Sequence, residues 1–80
     1  MKPVRFTKSA RKHHIGKAAA HYVMATVEPT AVVSKETGSP GFGWRGLDNR
    51  NRELEIIAID LPDCLLVIHV MPRYGKEGRS

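Results

Sequence analysis

A single cysteine, Cys64, excludes an internal disulfide, and no apolar run approaches the roughly 18 residues a membrane-spanning helix needs. No signal-type N-terminus is present either. These absences predict a soluble, cytoplasmic chain without a membrane partner, in which Cys64 serves as a small core hydrophobe. Metal-ligand spacing is missing too. His13, His14, His21 and His69 form no HxxxH pair, and there is no second cysteine to complete a zinc site. The glycine-rich "GSPGFG" lacks the lysine and following helix of a phosphate-binding loop, so it reads as a turn. Neither a metal nor an organic cofactor is expected.

Acidic residues are absent from the whole N-terminal part. Met1 to Lys17 carries Lys2, Arg5, Lys8, Arg11, Lys12 and Lys17, and the first acid is Glu28. Arg73, Lys76 and Arg79 add a basic tail from about residue 73, within a net charge of +5. Two like-charged ends are best accommodated beside a polyanion, although solvated tails would show the same charge run. The 80 residues make one domain, 1–80, that buries only about 60 to 65% of its unfolded surface.

What is present reads as α+β. "PVRFT" alternates as a short strand, Thr7 or Ser9 offers a cap for a helix "SARKHHI", and Gly16 separates this from a second helix "KAAAHYVMATV". In the second helix Ala19, Val23 and Val27, or Ala20 and Met24, recur at helical spacing, and Pro29 prevents continuation. "TAVVSK", "FGWRGL", "ELEIIAIDL" and "CLLVIHVM" then read as strands separated by turn formers. The expectation is a short strand, two helices, then an antiparallel meander of three or four strands packed on the helices.

Strand register follows from chemistry. If "DNRNR" is a five-residue turn, Leu47 pairs with Glu53, Arg45 with Glu55 and Trp44 with Ile56. A three-residue loop Leu61 to Asp63 then sets Asp60 opposite Cys64 and Glu55 opposite His69. Leu54, Ile56 and Ala58 share a core face with Leu66, Ile68 and Val70. The alternative two-residue loop would place His69 opposite Ile56, inside the core. The preferred register lines up Arg45, Glu55 and His69 on the face away from the helices. That combines a proton-transfer group, a carboxylate and a cation near the Arg73/Tyr74 exit. The plainer readings are a hydrogen-bonded strand histidine and a cross-strand Arg45–Glu55 ion pair.

"RKHHIGKAAAHYVMATVEPTAVV" followed by "GWRGLDNRNRELEIIAIDLPDCLLVIHVMPRY" resembles the BrnT-type toxins of bacterial type II toxin–antitoxin pairs, from about Phe6 to Tyr74. Lys12 and His13 match the family's Lys-His pair, and Arg73 lies near its basic position after the last strand. "IHVMP" stands where the family tends to have a Ser-Ala-Arg step. The resemblance implies a RelE-like fold and a translation-halting ribonuclease. Its implied partner is a small ribbon-helix-helix antitoxin that blocks it and forms a DNA-binding complex with it. Metal-independent RNA cleavage needs a base for the 2′-hydroxyl proton, cations on the phosphate and an acid for the leaving oxygen. His69 or Glu55 would act as base or acid, with His13 or Tyr74 as secondary proton donors or base-stacking groups. Lys12, Arg45 and Arg73 would hold phosphate, and Arg11, Lys17, Tyr74 and Lys76 would contact the RNA. A non-catalytic nucleic-acid-binding module or operon regulator explains the charge equally well without the Arg45/Glu55/His69 row.

Overall fold

The computed structural model describes residues 2–11, 15–33, 35 and 38–73. Within them the chain forms β1 (Val4–Phe6), a 3₁₀ turn (Ser9–Arg11), α1 (Lys17–Thr26), β2 (Thr30–Val33), β3 (Pro40–Leu47), β4 (Glu53–Asp60) and β5 (Leu65–Pro72). The strands make one five-stranded sheet of order β1-β5-β4-β3-β2. Ala19, Ala20 and Val23 of α1 are buried with Ala10 of the 3₁₀ turn, Trp44, Leu54, Ile56, Ala58, Val67 and Val70. α1 thus covers one face of the sheet, and its alternate positions Ala19/Val23 and Ala20/Met24 both turn inward because the helical repeat returns near each after four residues. Helix and sheet approach closely where Val27, at the helix end, lies over Gly46 of β3, a position with no room for a Cβ.

Two expectations are corrected. Among the described residues of "SARKHHI" there is no α-helix: Ser9–Arg11 make one 3₁₀ turn, Gly16 after it is extended at φ −68° and ψ 152°, and Lys12, His13 and His14 lie outside the described residues. Thr7 does cap this turn, its hydroxyl accepting the Ala10 amide at 3.1 Å. Seven residues offer few intrahelical bonds against the cost of nucleation, and burial of Ala10 stabilises the short turn instead. The sheet is also mixed: β2 to β5 run antiparallel in succession, but a fifth strand joins them. β1 runs parallel to β5, with Val4 opposite Leu65 and Phe6 opposite Val67. The Leu65 amide donates to the Pro3 carbonyl at 2.9 Å and the Thr7 amide to the Val67 carbonyl at 3.0 Å. The first strand therefore becomes the fifth member of the sheet, and among the described residues neither the two-helix layer nor the RelE-like arrangement expected above is found.

The β3–β4 hairpin has the expected register, with Leu47 opposite Glu53, Arg45 opposite Glu55 and Trp44 opposite Ile56. The β4–β5 hairpin does not. The Leu61 amide donates to the Cys64 carbonyl at 3.0 Å, closing the two-residue loop, and Asp60 faces Leu65. Continued unchanged, that register would bring His69 into the core. A bulge prevents it: Ala58 faces Val67, Ile57 faces His69, and Ile68 is the extra residue between them. Val67 consequently points into the core in place of the expected Leu66 and Ile68, Val70 does so as expected, and His69 remains on the outer face.

Candidate functional site on the outer sheet face

With Leu54, Ile56 and Ala58 directed inward, Glu55 and Ile57 of β4 must face the other way, since successive strand residues alternate. Arg45 lies directly opposite Glu55 on β3, whereas Met71 lies opposite it on β5. His69 and Arg73, two residues to either side of Met71, are its diagonal neighbours, a separation long side chains span readily. The geometry follows: Glu55 Oε1 is 3.5 Å from His69 Nε2 and 3.8 Å from an Arg73 guanidinium nitrogen, and Oε2 is 3.8 Å from one of Arg45. The Arg73 amide is also anchored, donating to the Glu53 carbonyl at 2.7 Å.

The cluster is open to water, with Glu55 the most covered side chain at 26% exposure and Arg45 the least at 58%. Ion pairs this exposed contribute about 0 to 1 kcal/mol each, so fold stability does not require them. Two guanidinium charges against one carboxylate leave one surplus positive charge before His69 takes a proton. This arrangement can attract a phosphate while holding an imidazole beside a carboxylate. Arg5 extends the positive face: Val4 and Phe6 pack on the core, so Arg5, opposite Leu66, projects outward. Sequence reasoning missed Arg5 as a site residue, although the alternation of "VRF" carried the signal.

The remaining expected residues separate from this cluster. Lys17 opens α1 in the helix layer, with its ammonium 5.7 Å from the centre of the Phe6 ring, which His21 meets edge-on at 5.6 Å. Arg11 ends the 3₁₀ turn, its side chain outside the described set, and Lys12, His13, Tyr74 and Lys76 lie outside the described residues altogether. Among the described residues no group of three or more His, Cys, Asp or Glu could hold a metal ion, and no helix is long and apolar enough to cross a membrane. No protein-family model, curated protein or solved structure matches the chain.

Proposed function

We propose that the outer face of the sheet binds single-stranded RNA and cleaves it by proton transfer, and that the chain acts as a growth-arresting toxin neutralised by a small antitoxin. The observation that carries this reading is the convergence of His69, Arg45 and Arg73 on one carboxylate, Glu55. The acid-free N-terminal segment and the likeness of its "RKHH" and strand segments to BrnT-type toxins support it further.

In the proposed step the 2′-hydroxyl oxygen attacks the adjacent phosphorus as a base takes its proton. The 5′-oxygen bond breaks, and the leaving oxygen receives a proton from an acid, leaving a 2′,3′-cyclic phosphate and a free 5′-hydroxyl. Histidine titrates nearest neutrality among side chains, which makes His69 the proton-transfer group and Glu55 the carboxylate that orients its ring. Arg45 and Arg73 offer the charge that the pentacoordinate phosphate requires.

The test incubates purified chain with end-labelled single-stranded RNA in excess chelator and identifies the product termini. Cyclic-phosphate ends formed by the native chain, and lost by about a hundredfold or more in His69→Ala, are expected. Induced expression should in parallel arrest bacterial growth. Salt-sensitive RNA binding without cleavage or growth arrest would overturn the toxin reading and leave a non-catalytic binding module.

A further inference from the structure

Arg45 and Arg73 both reach Glu55, whereas Arg5, on the same face of the sheet, is exposed and meets no carboxylate among the described residues. Asp60, at the end of β4, is already held by Lys2. Strand pairing fixes where the Arg5 charge sits. Arg5 lies opposite Leu66 and Leu66 opposite Ile59, while two residues back along β4 Ile57 lies opposite His69. Two residues of rise and one strand spacing put the Cα positions of Arg5 and His69 about 8 Å apart. The ground between them is apolar, made by Leu66, Ile59 and Ile57. Ile59 is only 8% exposed, although no described helix or strand covers this face. On β3 the strip continues over Gly43, where an added Cβ would stand 3.3 Å from Val32 and 3.4 Å from Ile57, so these side chains already lean over the glycine and the surface stays level.

We propose that Arg5 holds the phosphate next to the scissile one, so that the outer face takes two consecutive phosphates of an RNA strand. One sits at the Arg45–Glu55–His69–Arg73 cluster and one at Arg5, with the nucleoside between them lying on Ile57, Ile59 and Leu66. A nucleotide chain alternates charged phosphates with bases whose flat faces are apolar, and this surface repeats that order: cations, apolar strip, cation. A small free anion would use one end only and leave the strip bare. The separation suits one nucleotide step, because the long arginine side chain covers what the backbone spacing leaves. Its guanidinium fork matches two phosphate oxygens at once, which a lysine would not. The inference rests on the reading of this face as an RNA site and not on cleavage there.

Three short substrates test the proposal, each with one cleavable ribonucleotide followed by a deoxyribonucleotide. One is the bare dinucleoside monophosphate, and the others carry an added phosphate at the 5′ or the 3′ end. For the native chain one of the two added phosphates should raise kcat/KM about tenfold or more at low salt. The readout is the ratio of phosphorylated to bare substrate within each protein, so a loss common to all substrates cancels. That ratio should fall close to unity in Arg5→Ala and stay intermediate in Arg5→Lys, which keeps the charge without the fork. Titration of all-deoxy versions, which cannot be cleaved, followed by NMR should show the same ratios in Kd. Cleavage or binding that ignores both added phosphates, or a gain that survives in Arg5→Ala, would overturn the second phosphate site and leave the ribonuclease reading standing. No cleavage, with an affinity that still depends on the added phosphate and on Arg5, would overturn the catalytic reading and support the site. Failure to bind any of the oligonucleotides would overturn both.

Discussion

Glu55 and Asp48 are both carboxylates held by arginine, yet burial gives them different work. Glu55 is partly exposed and lies 3.8 Å from Arg45 and Arg73 and 3.5 Å from the His69 imidazole, so solvent screens the pairs. Replacing it with Ala should move stability by less than about 1 kcal/mol in urea unfolding while cutting RNA cleavage by about a hundredfold or more. A large stability loss with cleavage unchanged would make the cluster a structural ion network. Asp48, only 2% exposed, opens the β3–β4 turn and accepts hydrogen bonds at 2.8 Å from the Arg50 amide, the Arg52 amide and the Arg52 guanidinium. Asn51 beside it takes φ 63°, a conformation asparagine tolerates well. Burial by itself would raise the titration of Asp48. The Arg52 and Arg50 amides and the Arg52 side chain outweigh it and hold the carboxyl below its ordinary value of 3.8. A lowered folded-state value means that Asp48 stabilises the fold fully above the unfolded value, and that this contribution is lost as pH falls through the folded one. Asp48→Asn should therefore cost about 1 to 3 kcal/mol at pH 7 and flatten the loss of stability below pH 3.8, read from urea midpoints across that range. Parallel pH profiles for the two proteins would refute this role.

Elements were legible where one local pattern decided them. Pro29 and the Ala19/Val23 spacing marked α1, which ends at Thr26, and the five polar residues of "DNRNR" marked the β3–β4 turn, so the Arg45–Glu55 pairing could be read in advance. The bulge at Ile68 could not be. In a run as uniformly apolar as "CLLVI", no residue type distinguishes an inward from an outward position, and only the assembled core shows that Val67, and neither Leu66 nor Ile68, fits it. The parallel β1–β5 pairing was hidden for a related reason, since it joins residues about as far apart as the chain allows and leaves no mark in either segment. His69 was placed on the correct face by an argument with the wrong partner, the bulge restoring the face that the two-residue loop would have lost. The register has a stability signature. Ile56→Ala, at a site with no exposed surface, should cost about 2 to 5 kcal/mol, and Leu66→Ala, on the outer face, distinctly less. Equal losses in thermal or urea unfolding would return Leu66 to the core and refute the bulged pairing.

Across the whole molecule the sheet separates two groups of cations that the sequence presents as one surplus. Arg5, Arg45 and Arg73 project from the outer face, whereas Lys17 belongs to the helix layer and lies over the Phe6 ring. An RNA strand lying on the outer face reaches the first group and not the second. Each phosphate neutralised on a single strand releases condensed counterions and steepens the fall of log affinity with log salt by about 0.7. Arg45→Ala and Arg73→Ala should therefore each reduce that slope by about 0.7 for single-stranded RNA, measured by fluorescence anisotropy between low and physiological salt. Lys17→Ala should leave the slope unchanged and alter affinity only slightly, because the helix layer lies across the core from the bound strand. The slope is the informative quantity, since a substitution that merely loosens the fold lowers affinity at every salt concentration without removing a phosphate contact. If Lys17→Ala flattens the salt dependence while Arg45→Ala and Arg73→Ala do not, RNA lies on the helix layer, and the Glu55 cluster faces away from the substrate it is proposed to cleave.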